Sequence, residues 1–299
     1  MIRGTYRFYQ DGVLLSEQTN LLTIKGKQQV LRLLSSQIAK LGESIAVGVS
    51  GTTATTSDDA LSFELARTKI SVSSPDFVNN KIVFKGTLPG DISGIIYEVG
   101  LWSLLNNAYS GTYESKVLVS FDSANEFWPS GASWQTANAR IGIDALRLAP
   151  LTSATANLSL SGVALDLLGY SDADQFKLAY WVQNAFCANV KLKFMTTVSD
   201  YYTYTITTPS SGYHMQSFGK GNFTSTGSPT WSNITTVDVS ATATAGGACN
   251  VDFDGIRIED TDSYNPEYFL ISRAVLVSPI TKNPYSPMDI EYTLDAVIS

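Results

Sequence analysis

Five aromatic residues come close enough in the sequence to do chemistry together. Tyr201, Tyr202 and Tyr204 crowd the stretch YYTYTI, with Tyr213 and Trp231 expected in flanking loops. Proteins hold sugars by stacking apolar ring faces on aromatics, while a few polar groups fix the orientation. In an extended strand Tyr202 and Tyr204 point to one face and Tyr201 and Thr203 to the other. One face can then enter a core and the other form a concave binding surface. Ordinary packing of strand aromatics inside a sandwich accounts for the same pattern.

The other reactive side chains do not assemble into a catalytic motif. Glycosidases need two carboxylates flanking one bond. Glu259, Asp260 and Asp262 lie together after a strand, and Asp172 and Asp174 share a turn, but acidic turns are routine on a chain of formal charge −7. His214 is the single histidine. It has no GxSxG, HExxH or zinc-type cysteine spacing to work with, and it reads as a loop residue. The chain is therefore expected not to be an enzyme. Cys187 and Cys249 fit no CxxC pattern and read as buried free thiols; a disulfide requires their strands to be neighbours. Asn157, Asn222 and Asn233 begin N-x-Ser/Thr triplets, which carry no message without a secretory signal.

Composition narrows the partners. Only 16% of the 299 residues are charged and 44% are hydrophobic, so a substantial core is expected. No Lys/Arg block occurs, and the negative balance opposes nucleic-acid binding. No apolar run approaches the length of a membrane span. MIRGTYRFYQDG lacks an apolar signal region, so cytoplasmic synthesis is expected.

These residues must be held by β-strands. Residues 2–9 and 12–15 predict a hairpin turning at Asp11-Gly12. Residues 25–41 predict the one helix. Val30, Leu31, Leu34, Ile38 and Leu41 lie on one face, Thr23 caps it and Gly42 stops it. IAVGVSG (45–51) predicts a buried strand and ALSFELAR a short helical turn. KIVFKGTL and GIIYEVGLWS predict strands, with Pro89-Gly90-Asp91 as the turn between them. Residues 104–116 read as a connector. From Val117 onward a series of strands separated by Gly, Ser and Asn turns predicts a β-sandwich. Pro279, Pro284 and Pro287 mark edges or turns of the last β segment.

Two resemblances follow from these segments. SFDS (120–123) with Trp128, IDALRLAP (143–150), FKLAYWVQN (176–184), FTSTGSPTWSNITTVDVSAT (223–242) and DFDGIRIED (252–260) resemble the jelly-roll of carbohydrate-binding modules and galactose-binding-like domains. That resemblance implies a structural calcium between first and last strands, with Asp122, Asp144 and Asp254 in the ligand positions. The same aspartates could instead bond turn amides. NLLTIKGKQQVLRLL (20–34), IAVGVSGTTATTSDDALSFELAR (45–67), GIIYEVGLW (94–102) and LISRAVLVSPITKNPYSPMDIEYTL (270–294) resemble bacteriophage tail-fibre and collar-type proteins. That resemblance implies a particle-attachment domain carrying a binding domain.

The expectation is an all-β chain. Residues 1–116 and 265–299 form one discontinuous anchoring domain with one short helix, and 117–264 is an inserted β-sandwich jelly-roll. Ile290 and Tyr292 should lie beside strands of 80–102. The expected function is that of a virion structural protein of a tail, baseplate, neck or fibre. Its partners would be other virion proteins, copies of itself and a host-surface glycan; the alternative is a glycan-binding receptor-binding protein.

Overall fold

The computed structural model describes residues 2–38, 40–104, 115–259 and 268–296. The expected connector at 104–116, the carboxylates Asp260 and Asp262 and the expected 264/265 boundary fall wholly or largely outside them. The fold is all-β, with one α-helix among the described residues. No helix there is long and apolar enough to cross a membrane. The chain forms two compact units, Met1–Tyr113 with Ser263–Ser299, and Glu114–Asp262.

The first unit is built of two five-stranded sheets. Sheet A runs in the order Val13–Thr19, Ile2–Gln10, Met288–Ala296, Lys81–Leu88, Val72–Asp76. Its opening hairpin turns through Asp11 (φ 52°) and Gly12 (φ 77°), the left-handed pair that matches the twist of paired strands. Near the C-terminus Ile290 lies opposite Gly86, and Tyr292 opposite Phe84. Sheet B runs Leu21–Leu22, Tyr268–Lys282, Gly94–Leu104, Ser44–Gly48, Glu64–Lys69. Tyr6, Phe8, Phe84, Ile290 and Tyr292 of sheet A share one buried cluster with Val47, Val99, Leu101 and Ile271 of sheet B. Pro279 falls where the register of Tyr268–Lys282 shifts between Val275 and Ile280, a break in the ladder that tolerates its missing N–H.

Two local expectations are corrected. The helix spans Ile24–Leu34, capped by Thr23, whose hydroxyl accepts from the Gly26 amide at 2.8 Å. It ends at Ser35-Ser36, where Ser36 turns left-handed at φ 59°. Gly26, Gln29, Val30 and Leu33 face inward, while Leu31 and Leu34 are exposed and Ile38 and Leu41 are buried beyond the helix end. Close approach decides the facing: a Cβ on Gly26 would lie 1.9 Å from the Ile271 carbonyl oxygen. In ALSFELAR no helical turn forms. The amides of Ser62 and Phe63 donate to the buried Glu98 carboxylate, and the segment continues as strand Glu64–Lys69. Arg273 completes this site, binding Glu98, Asp58, the Thr52 carbonyl and the Ser62 hydroxyl, and so fixes the Thr-rich loop.

The second unit is a β-sandwich. Sheet C runs Ser133–Gln135, Ala145–Leu148, Val251–Glu259, Gln175–Val182, Gly212–Gly219, with Ser115–Val119 also paired to Val251–Glu259. Sheet D runs Thr155–Leu165, Ile234–Ala243, Cys187–Met195, Tyr201–Thr207, Thr224–Thr226. Strand alternation sends Phe176, Leu178, Tyr180 and Val182 of sheet C, and Val190, Leu192 and Phe194 of sheet D, into one core.

Candidate functional site

The aromatic stretch singled out in the sequence divides between three places. Tyr202 stacks on Trp231 with ring centroids 3.9 Å apart and planes 5° apart, and its hydroxyl donates to the Pro229 carbonyl at 2.9 Å. Tyr204 stacks on Phe218 at 3.8 Å and 11°. Both pairs abut Phe176, Phe194 and Phe223 in the sandwich core. One face of each of these tyrosine rings is thus covered by a protein aromatic, and both remain partly exposed. Tyr201 lies on the outer face of sheet D, under the Lys193 ammonium at 4.9 Å. Tyr213 lies in strand Gly212–Gly219 rather than in a loop, on the outer face of sheet C. His214 is in the same strand, also not in a loop; its ring stacks on Tyr180 at 5.0 Å and Nε2 meets the Ser210 carbonyl at 2.7 Å.

The outer face of sheet C brings chemistry together. The inward run Phe176, Leu178, Tyr180, Val182 leaves Lys177, Ala179 and Trp181 on the other face. Across four adjacent strands the register aligns Arg147 with Asp252, Asp252 with Trp181, and Trp181 with Tyr213. Direct cross-strand neighbours on one face have Cβ atoms about 4.5–5.5 Å apart, so this row is continuous. Trp181, Tyr213 and Met215 are partly exposed.

The polar groups of the row are fixed. Asp252 is fully buried and takes a two-pronged contact from Arg147, Nε at 2.6 Å and Nη2 at 2.8 Å. Asn138 adds a third donor to it at 2.6 Å. A forked guanidinium–carboxylate pair holds both partners in one plane. Asp254 accepts from the Arg140 amide at 2.8 Å, from the Ile141 amide and from the Tyr213 hydroxyl. The Arg140 guanidinium lies 3.9 Å from the Tyr213 ring centre, so Tyr213 is clamped from ring and hydroxyl alike. Burial pushes the Asp254 carboxyl up to about 7 despite these three donors.

Residues 136–144 make this possible by crossing the face of the sheet. Gly255 gives the crossing room, since a Cβ there would meet Ile141 Cδ1 at 2.3 Å. At Gly142 (φ 71°) a Cβ would lie against the Asp122 carboxylate, so this turn also requires glycine.

The three aspartates expected at a calcium site each accept hydrogen bonds from the protein. Asp122 accepts from the amides of Ala124 (2.9 Å) and Ile143 (2.7 Å), and Asp144 accepts from the Ser123 amide (2.8 Å) and hydroxyl. Asp254 has the partners given above. Among the described residues no three His, Cys, Asp or Glu side chains gather as a metal site would need. Sequence reasoning missed Trp181, Arg147, Asn138 and Asp252. The detectable signal was Trp181, a tryptophan at the outward position of a strand whose alternate residues are all core.

No protein-family model matches the chain, and no curated protein matches it. Solved structures similar to it include a family 30 carbohydrate-binding module (16% identity, covering 54% of this chain and 99% of that one, TM-score 0.35). Another is the family 30 module of the cellulosomal cellulase Cel9D-Cel44B of Clostridium thermocellum (16%, 44% and 83%, TM-score 0.34). A third is the glycoside hydrolase domain of Endo-D from Streptococcus pneumoniae R6 (13%, 46% and 21%, TM-score 0.32). The chain thus spans about a fifth of that hydrolase's length. Likeness at this level assigns no function. The resemblance to bacteriophage tail-fibre and collar proteins has no counterpart among these structures.

Proposed function

We propose that the second unit is a glycan-binding sandwich whose ligand lies on the outer face of sheet C, stacked on Trp181. The observation that carries this reading is the row Arg147–Asp252–Trp181–Tyr213, a partly exposed tryptophan beside polar groups that are already immobilised. A sugar offers an apolar ring face and a rim of hydroxyls, and this surface offers the matching pair of features. Fixed donors and acceptors lower the ordering cost of binding. Binding fits the geometry better than hydrolysis. Asp252 is held by Arg147 and Asn138, and Asp254 is fully buried beneath Tyr213 and the 140–141 backbone, so neither carboxylate faces a bond to be cleaved.

The test is a glycan array with the full chain and with Trp181→Ala, beside a reducing-sugar assay on every glycan retained. Retention lost in the variant supports the site. Equal retention by both proteins removes it, and sugar release by the wild-type chain replaces binding with hydrolysis.

A second reading concerns the first unit, as the attachment module of a virus particle. It is favoured by one helix face on which Ile24, Leu31 and Leu34 are exposed by 52%, 66% and 76%. Antibody labelling of purified particles under the electron microscope tests it, and particles that never carry the chain would end it.

A further inference from the structure

The chain has two cysteines, and the fold puts them together. Cys187 opens strand Cys187–Met195 of sheet D, and Cys249 precedes strand Val251–Glu259 of sheet C. Each is 1% exposed and both belong to the single core of the sandwich. There the Gln183 amide bonds the Asn250 carbonyl at 3.0 Å and the Asn184 side chain bonds the Ala248 carbonyl at 3.2 Å, laying the two cysteine-bearing segments side by side. Cys187 also points its thiol at the Asn189 carbonyl, 3.6 Å away. Two cysteines far apart in sequence are thus carried by adjoining segments of one core, the first condition a disulfide requires.

Their cover is thin. Phe186, beside Cys187, is 43% exposed. Gly246 and Gly247 lie flat against its ring, where a Cβ on Gly247 would come within 2.8 Å. The loop beside them is fastened by the Thr244 amide to the Phe186 carbonyl at 2.7 Å, the Asn184 side chain to the Ala248 carbonyl at 3.2 Å and the Cys249 amide to the Pro150 carbonyl at 3.3 Å. Burial and the neighbouring thiol push Cys187 up to about 12, and burial raises Cys249 as well, so the closed state is unreactive. Reaction belongs to moments when the loop lifts, or to folding itself.

We propose that Cys187 and Cys249 are a cross-linking site, closing in an oxidising setting into a disulfide that ties sheet C to sheet D. The oxidant is a small-molecule disulfide. One cysteine loses its proton, and its thiolate attacks a sulfur of the oxidant and expels a small thiolate. The second cysteine, likewise deprotonated, attacks the mixed disulfide and expels the other small thiolate. The two protons and two electrons end on two molecules of small thiol, and the chain gains one S–S bond.

The experiment uses the full chain and oxidised glutathione in two arms, one on the folded protein and one during refolding from denaturant. Remaining thiols are alkylated in denaturant and the masses read. The expected product is a monomer lighter by about 2 Da with no alkylation, whose digest joins the peptides of Cys187 and Cys249. Its melting temperature should rise by about 5–10 °C over the reduced chain. Cys249→Ser should keep one reactive thiol and show no oxidation-linked rise. Phe186→Ala should speed closure in the folded arm by about tenfold if the loop is the gate. Two alkylated cysteines in both arms, or only glutathione adducts and dimers, would overturn the proposal.

Discussion

The two outer faces of the sandwich start from the same rule and end differently. On each sheet alternate residues enter the shared core and the rest face outward. Sheet D's outward residues include hydroxyls, lysines, Tyr201 and a carboxylate: the row Ser159, Asp238, Lys193, Thr203 crosses four strands. Its polar contacts are local, Ser159 to Asp238 at 2.7 Å and Lys193 to Asp238 at 4.0 Å. Sheet C's corresponding row has a tryptophan, a clamped tyrosine and a carboxylate gripped by a forked arginine. On the D face Asp238 is buried as well, with the Ser159 hydroxyl and the Lys193 ammonium as its partners. On the C face a crossing segment has excluded water from two carboxylates, which is stable only because each has several donors. The two faces differ in how firmly a buried carboxylate is gripped, one hydroxyl and a 4.0 Å lysine against a forked arginine and an amide. Composition does not show it, since both faces are polar.

The comparison can be broken most severely at Asp252. Asp252→Ala strands Arg147 and Asn138 in a partly buried site, and chemical denaturation should show a loss of about 3–5 kcal/mol. The D-face charge Asp238, removed the same way, should cost far less, and equal costs would erase the distinction. Trp181→Ala should leave the unfolding midpoint nearly unchanged while weakening glycan binding roughly ten- to a hundredfold by calorimetry. Asp254 sharpens the contrast through pH. Its folded-state pKa, about 7, lies above the ordinary 3.8, so folding favours the protonated form. The stability this contributes is complete below the ordinary value and is lost as pH rises through about 7. Asp254→Asn should flatten the wild-type decline across that window, and thermal melts at several pH values would show it. The smallest effect is expected at Tyr201→Ala on sheet D, within about 0.5 kcal/mol and with unchanged glycan binding.

Much of the scaffold was legible in the sequence because it follows from periodicity and turn chemistry. The hairpin at Asp11-Gly12, the Thr23 cap and the alternating strand 81–88 are all specified within a few residues. The helix facing was not legible, because Leu31 and Leu34 satisfy the amphipathic pattern while the needed close contact belongs to Gly26, a residue with no hydropathy signal. The strand at Glu64–Lys69 was hidden for a related reason: its entry is set by Glu98, far away in the chain. At the site, Tyr202 and Tyr204 were visible as a cluster, yet a cluster cannot reveal which ring already has a partner. Trp231 supplies one partner from the turn before strand Ile234–Ala243, and Phe218 the other from strand Gly212–Gly219. Trp181 drew no notice inside a strand of core residues, though its parity in the strand sets it apart.

The pairing of the first strand with the last has a consequence for biogenesis. Tyr6 hydrogen-bonds to Ser272 across 266 positions, and Ile2–Gln10 lies along Met288–Ala296. During translation that opening hairpin leaves the ribosome with an empty seat beside it and waits while the entire intervening module emerges. The nascent sandwich can mature first, since its strands are all available earlier. The waiting edge is a row of unsatisfied amides and carbonyls, open to the wrong neighbour until Met288–Ala296 has been made.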